Sequence, residues 1–469
     1  MSSDFNWSKI DKKYWSPIII FLFAALHIAY INTPFVNLEW VYRFGSQFFI
    51  TNEKSYLEAY FADQANPIIY SYLSSIIVTV TGADQFASYR IFALFGGTLV
   101  LIMLLKNRDY RVVIVVALNP LIWIYSGRAY AELLSVGLMM LAYNYQKKPI
   151  VGGLALGLSG IVKYHSLPFV LLNSGLRWIH LNWKNKFKSW NQSHCWFILV
   201  ASLCFMIFIS WYRFEFGFWL APDRFRERHA SISLANLLNN YFSYGFYLSG
   251  MFFLTIPAFL NTEKLKLKAL LLVSSILLGF TNQNLGEMDF GSFQQLLGNE
   301  IVLLIKIIGF WNFLLCCQAF WKDEESRILL LTILGYILLL SLTRPANRYL
   351  IFVVPFWAIL ACQHISLSRM FWWGYISVLA GLNLFASLYQ VSNATASANM
   401  ADWAIQNDVR INLGGILHSH VGDFSHYDPN SPLIVSLAGA HFGRILHEEP
   451  VHVLGFQIRS YVLTDTNSN

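Results

Sequence analysis

The chain has 469 residues, of which 56% are hydrophobic and 13% are charged, and its formal net charge at pH 7 is +7. Soluble domains carry about 25% charged residues, so this composition excludes a soluble globular protein and predicts a polytopic membrane protein. No basic tract or nucleic-acid motif accompanies the positive charge, which therefore favours membrane lipids and phosphates over nucleic acid as partners.

Long apolar segments follow one another along most of the chain, and each is interpreted as a membrane-spanning helix. The first segment follows Lys9, Lys12 and Lys13 and has no cleavage site after it, so we interpret it as an uncleaved span and not as a signal peptide. The thirteen predicted spans lie at residues 15–32, 86–105, 112–126, 129–146, 149–162, 165–178, 195–212, 246–260, 269–281, 301–320, 328–343, 349–364 and 370–389.

Basic residues predict which side of the membrane each loop faces. With thirteen spans, the short loops that carry the basic groups all fall on one side, which the positive-inside rule makes cytoplasmic. The N-terminus is then cytoplasmic, and the C-terminus is extracytoplasmic, as in a multi-pass protein of a bacterial inner membrane. The same arrangement requires residues 66–82 to form an interfacial helix on the outer surface, within a first external loop at 33–85. It also requires 149–178 to be two short spans broken near Lys163-Tyr164-His165.

The composition changes sharply after the last span. We therefore predict a transmembrane domain at 1–391 and a small extracytoplasmic domain at 392–469. Apolar pieces at 433–435 and 451–456 indicate a mixed α/β lobe. The predicted fold class is thus an all-α polytopic membrane protein with about 13 transmembrane helices, long external loops and this C-terminal lobe. Within one span, Gly153-x-x-x-Gly157 predicts a close contact between helices.

Three acidic side chains are assigned to the extracytoplasmic face: Glu39 and Asp63 in the first outer loop, and Glu132 after the third span. Acids that converge on one membrane face suit a general base or a divalent metal site. The alternative is that they are solvated loop acids. In the tail, His418-x-His420 has the spacing of a metal pair, but no third ligand is suitably placed, so a polar surface is favoured.

Cations at the outer ends of spans form a second candidate group. They oppose the positive-inside bias, so an anion such as a lipid phosphate is expected to hold them there. The alternative is snorkelling of these side chains to phospholipid head groups. For Arg128, at the same face, the alternative is an ion pair with Glu132. The cations are Lys163, Arg344 and Arg348, and His165 and Tyr349 lie beside them in the sequence.

Short motifs occur in an order that is typical of one family of membrane enzymes. They are Glu39-Trp40-Val41-Tyr42, Asn66-Pro67-Ile68-Ile69-Tyr70, Tyr89-Arg90-Ile91, Asn119-Pro120, Arg128-Ala129-Tyr130-Ala131-Glu132, Val162-Lys163-Tyr164-His165 and Asn347-Arg348-Tyr349-Leu350. The series resembles the C-type integral-membrane glycosyltransferases (GT-C), which include protein O-mannosyltransferases and aminoarabinose transferases. It departs from them at Asn66, where the family has His, at Ile68, where it has Pro, and at Glu39, which lacks an adjacent Asp.

The resemblance implies a sugar donor linked to polyprenyl phosphate and transfer, with inversion, to a hydroxyl of a lipid, glycan or protein acceptor. It implies that Glu39 is the catalytic base, and that Asp63 and Glu132 position the donor or acceptor. The phosphate clamp would consist of Lys163, Arg344 and Arg348. The motifs leave open which sugar moves and whether a divalent metal takes part, and they predict no other cofactor.

Two other functions are compatible with this layout. A lipid-linked sugar flippase or transporter predicts inverted repeats and charges near the middle of spans, and neither is visible in the sequence. An O-antigen polymerase or ligase would share both the substrate class and the topology. A non-catalytic scaffold would leave the acids and cations of the outer face unexplained.

Overall fold

The computed structural model of the protein describes most of the chain. The described residues are 12–35, 39–63, 67–107, 110–184, 192–219, 222, 234–250, 265–282, 291–342, 346–365, 368–411, 431–437 and 444–465.

The N-terminal part of the chain contains one long apolar helix, α5, and several shorter helices. These helices are α1 (Lys12–Ile28), α2 (Glu39–Thr51), α3 (Lys54–Asp63), α4 (Ile69–Thr81), α5 (Phe86–Asn107), α6 (Tyr110–Ala117), α7 (Pro120–Ser126) and α8 (Ala131–Asn144).

The remaining helices follow before the strands. They are α9 (Pro149–Val162), α10 (Ser166–Lys184), α11 (Gln192–Phe216), α12 (Leu234–Gly250), α13 (Leu265–Thr281), α14 (Gly291–Phe320), α15 (Glu324–Ser341), a 3-10 helix (Asn347–Phe352), α16 (Val354–His364) and α17 (Arg369–Gln406).

The count of thirteen spans is not confirmed. Within the described residues, four helices are long and apolar enough to cross a membrane, and they identify the chain as a helical membrane protein. Other apolar helices are shorter, such as α8 and α9 with 14 residues each. A helix of that length measures about 21 Å, whereas the hydrocarbon core is about 30 Å thick. The four long segments are Phe86–Leu105, Ser193–Phe216, Glu300–Phe320 and Arg369–Gln406.

The predicted span at 112–126 is two helices, because Asn119-Pro120 interrupts it. Pro120 has no N–H to continue the helix and is suited to the first position of a new one, where α7 begins. The Asn119 side chain accepts a hydrogen bond from the backbone N–H of Leu121 at 3.1 Å, which caps that start. The apolar composition alone did not reveal this break.

The chain forms two compact units, and each contains segments that are distant in the sequence. The first unit consists of Met1–Ile20, Gly96–Ile122 and Leu134–Leu379. The second unit consists of Phe21–Phe95, Trp123–Leu133 and Ala380–Asn469. Because α17 runs without interruption from Arg369 to Gln406, residues 391 and 392 lie in one helix. The domain division at that position stays a prediction.

In the second unit, α17 supports the small C-terminal sheet that the sequence predicts. Strands β1 (Leu433–Leu437), β2 (Arg444–Val453) and β3 (Phe456–Asp465) are antiparallel, with β3 in the centre. Small and flexible side chains of the helix let the sheet approach closely. The core between helix and sheet is formed by Ala396, Met400, Ala404, Val435, Val451, Tyr461 and Leu463.

In the first unit, α9 packs closely against α11 through its glycines, which confirms the predicted helix contact. A Cβ atom built on Gly153 would lie 2.7 Å from Cβ of Val200. One built on Gly157 would lie 2.6 Å from Cβ of Cys204. The backbones approach this closely only because the methyl groups are missing, as is common where helices associate in membranes.

The variant Gly157→Ala is therefore expected to lower the free energy of unfolding by about 1–3 kcal/mol, the usual cost of overpacking a core. Its matched control is Gly175→Ala, because a Cβ on Gly175 in α10 would meet no atom within 4 Å. Thermal unfolding of both variants in detergent micelles measures the difference. Equal unfolding midpoints for the two variants would contradict the close contact.

Candidate functional site

Glu39, the predicted catalytic base, is the first residue of α2 and is fully buried in the second unit. Its carboxylate forms a bidentate ion pair with Arg90, which lies in the first turns of α5. Nε of Arg90 donates to Oε1 and Nη2 donates to Oε2, each at 2.9 Å. The backbone N–H of Ala129 also donates to Oε1, at 2.6 Å. Segments 51 and 90 residues away in sequence therefore meet at one carboxylate.

Arg90 binds more than the carboxylate. Nη1 donates to the carbonyl oxygens of Ile31 and Thr33, at 3.0 and 2.6 Å, and Nη2 donates to that of Pro34 at 3.0 Å. These bonds hold the turn after α1 against the start of α5. Only 1% of the side chain is exposed, so breaking the pair would leave a buried charge. The sequence offered a signal for this residue, since Arg90 is the one charged residue within the apolar segment 86–105.

These contacts limit how Glu39 can act. A carboxylate oxygen has two lone pairs, and Oε1 uses both on Arg90 and Ala129. To accept a proton from a substrate hydroxyl, Glu39 must use Oε2 or exchange one of these contacts. Glu39 as catalytic base therefore stays a prediction, and Arg90 is the residue that sets the position of its carboxylate.

Tyrosines surround the ion pair in the second unit. The ring of Tyr42 lies 4.9 Å from that of Tyr70 and 6.0 Å from that of Tyr130, measured between centroids. Tyr125 continues the series at 5.2 Å from Tyr130. Tyr42, Tyr70 and Tyr130 are buried and form part of the packed core near the ion pair, whereas Tyr125 is half-buried.

Arg128 and Glu132 lie beside this aromatic group. The guanidinium of Arg128 lies over the ring of Tyr125, 5.9 Å from its centroid. Its Nε is buried and has no hydrogen-bond partner in the part of the chain that the structure describes. Glu132 is fully buried in the first turn of α8, three residues after Ala129. Their roles in substrate binding stay predictions.

In the first unit, three of the predicted site residues converge on the ring of a fourth, and we name Lys163, His165, Arg348 and Tyr349 the Tyr349 cluster. Nζ of Lys163 lies 5.6 Å from the centroid of the Tyr349 ring, and Cζ of Arg348 lies 5.5 Å from it. The imidazole of His165 stacks on the same ring at 4.5 Å and 18°. Lys163 is fully buried, which is rare for a lysine.

Two prolines explain why the chain is not helical where these side chains meet. Pro168 cannot donate to the carbonyl of Tyr164 and its ring would clash there, so α9 ends at Val162 and α10 begins at Ser166. This break near Lys163 confirms the one predicted from the topology. Pro355 acts in the same way near the start of α16, and the preceding 3-10 helix presents Arg348 and Tyr349.

The side chains of four residues that the sequence singles out lie outside the described part of the chain. Asp63 is the last residue of α3, and its side chain lies outside the described part. Arg344 lies outside the described residues, as do His418 and His420. Among the residues that are described, no group of three His, Cys, Asp or Glu side chains is arranged to hold a metal ion. The possible divalent metal stays untested.

No protein-family model matches the sequence, and no curated protein matches it. A solved structure that is similar along nearly the whole chain is the crystal structure of ArnT from Cupriavidus metallidurans in the apo state. The sequence identity is 10%, and the match covers 97% of this chain and 99% of that chain. The TM-score is 0.39, which is too low to establish a shared fold.

Proposed function

We propose that this chain is a membrane glycosyltransferase that moves a sugar from a polyprenyl-phosphate donor to an acceptor hydroxyl at the extracytoplasmic face, with inversion. The Tyr349 cluster carries the proposal. Lys163 and Arg348 approach one ring from two helix breaks, and Lys163 is fully buried. Two cationic side chains beside one ring attract an anion, and a phosphate fits them because its oxygens accept hydrogen bonds from both lysine and arginine.

The proposed reaction breaks the bond between the anomeric carbon and the donor phosphate, and forms a bond from that carbon to the acceptor oxygen. Glu39 takes the hydroxyl proton, and polyprenyl phosphate leaves with the electron pair of the broken bond. Negative charge grows on the departing phosphate as the sugar becomes oxocarbenium-like, so nearby cations lower the barrier. Lys163 and Arg348, together with Arg344, would supply these cations.

The remaining site residues would position the two substrates. Arg128 and Tyr125 are both half-buried and offer a cation and an apolar face, which suit the phosphate and the sugar or prenyl group. Asp63 and Glu132 would accept hydrogen bonds from sugar hydroxyls. His165 would orient the Tyr349 ring by stacking on it.

Transfer of radiolabelled sugar from a panel of polyprenyl-phosphate hexoses and pentoses, in membranes that contain the protein, tests the proposal. We expect label to move from the donor into a product from which polyprenyl phosphate has been released. The sidedness of intact donor is measured in the same vesicles. Donor that crosses the bilayer without cleavage would replace this proposal with a flippase, and no consumption of any donor would contradict it.

A further inference from the structure

An apolar tip closes the hairpin between β2 and β3 in the second unit. The strands end at the pair Val453 and Phe456, so the turn is the two residues Leu454 and Gly455. Both have positive φ, 52° and 84°, as two-residue turns of type I′ require. Asn and Gly suit that geometry, whereas leucine is strained in it. Leu454 and Phe456 are each 74% exposed, so the tip presents large apolar side chains to its surroundings.

Contacts along α17 give the direction of this hairpin. The ring of His447 stacks on Trp403 at 4.5 Å, Glu449 accepts a hydrogen bond from Asn399 at 3.4 Å, and the N–H of His452 donates to Ser392 at 3.1 Å. The residues of α17 that β2 contacts therefore have decreasing numbers, from Trp403 to Ser392, as the strand approaches the turn. The tip points towards the N-terminal part of α17.

That part of the helix is the apolar one. Residues 370–389 are predominantly apolar, and Arg369–Gln406 contains a candidate membrane span. The tip lies two residues beyond His452, about 7 Å along the strand, which corresponds to four or five helical residues. Leu454 is therefore level with residue 387 or 388, within the last apolar turn.

A polar and aromatic layer lies just behind the tip. The guanidinium of Arg459 lies 5.0 Å from the ring centroid of Tyr389 and also donates to Asn393. Tyr461 donates to the same Asn393 oxygen at 2.8 Å. Tyrosine and arginine side chains are typical of the head-group level of a bilayer. From Pro450 to Ser460 the chain carries no acidic residue that would oppose contact with anionic lipid.

We propose that the Leu454–Phe456 tip inserts into the bilayer interface beside α17 and anchors the C-terminal sheet on the membrane. A protein partner fits these observations less well. Two large side chains bury at most about 500 Å², whereas a stable protein interface buries about 800 Å² on each partner. The proposal does not depend on the sugar-transfer reaction.

The test places a dansyl amino acid at position 454, and separately at 456, in the full-length protein. The matched control carries it in place of Leu446, which is the same residue type, lies in the same strand and is 40% exposed. Leu446 is eight residues from Leu454, about 26 Å along the strand. The proteins are reconstituted in vesicles of phosphatidylethanolamine and phosphatidylglycerol that contain a lipid with a nitroxide near the head of its acyl chain.

We expect blue-shifted emission at 454 and 456, with several-fold stronger quenching by the nitroxide lipid than at 446. If the dansyl emission wavelength at 454 and 456 is as long as at 446, the tip lies in water and the proposal is overturned. A blue shift without lipid quenching would also overturn it, because a second copy or another protein would then cover the tip. The two probe positions guard against a local disturbance of the turn by either substitution.

Discussion

Sugar transfer is expected to fall by about two to four orders of magnitude in Glu39→Gln, the usual contribution of a general base. Gln keeps the size of the side chain and an oxygen for the Ala129 N–H, but it cannot take the acceptor's proton. The assay is initial-rate transfer of labelled sugar at saturating donor, with the amount of folded protein measured by size-exclusion chromatography.

The contacts of Glu39 require a control, because loss of its charge also leaves Arg90 buried without its carboxylate. Breaking such a pair costs about 3–5 kcal/mol, enough to unfold a marginal protein. The double variant Glu39→Gln with Arg90→Gln removes both charges and keeps polar groups at both positions. If Glu39 is the base, the double variant regains stability but not transfer. If transfer returns with stability, Glu39 serves only to hold Arg90.

The second large effect is expected at the Tyr349 cluster. Lys163→Met and Arg348→Met should each lower the rate constant for transfer by about 10²–10³, as losing one preorganised partner of a developing oxyanion does. Because charge on the departing phosphate grows in the transition state, kcat should fall by more than the donor KM rises. Steady-state kinetics at varied donor concentration separates these two parameters.

Lys148→Met is the matched control for Lys163→Met. Nζ of Lys148 lies 5.7 Å from the ring centroid of Tyr145, nearly the distance between Lys163 and Tyr349, but this lysine is exposed. It should transfer sugar at the wild-type rate. Equal kinetics in the two lysine variants would show that burial beside Tyr349 gives Lys163 no special role and would remove the cluster from the proposed mechanism.

Some parts of this architecture follow from local chemistry in the sequence. Charge content predicts a membrane protein, and the spacing Gly153-x-x-x-Gly157 predicts a close helix contact. The basic loops predicted a break near Lys163, and Pro168 explains it, because a proline acts on the carbonyl four residues before it. The glycine contact and the effect of Pro168 need only neighbouring residues, whereas the predicted break needed the order of basic loops along the chain.

Other parts depend on contacts between distant segments. Nothing local to Glu39 shows that Arg90 and the N–H of Ala129 bind it, since these residues lie 51 and 90 positions away. The helix α17 continues past residue 391 although the composition becomes polar there. Small residues such as Ala396 permit both a helix and close packing of the sheet, so tertiary contacts and not hydropathy decide where it ends.

The glycine face of α9 has a consequence for how the protein is made. With 14 residues, α9 is too short to cross the hydrocarbon core unaided, and its glycines add little apolar surface with which to enter lipid. Its neighbour α11 is synthesised later, since it begins at Gln192. The glycine face of α9 therefore stays uncovered by α11 until that helix has been synthesised, whereas the contact of α9 with the earlier helix α8, where Ser159 and Ser135 exchange hydrogen bonds, can form first. The close pairing of α9 with α11 is complete only after translation of residue 216.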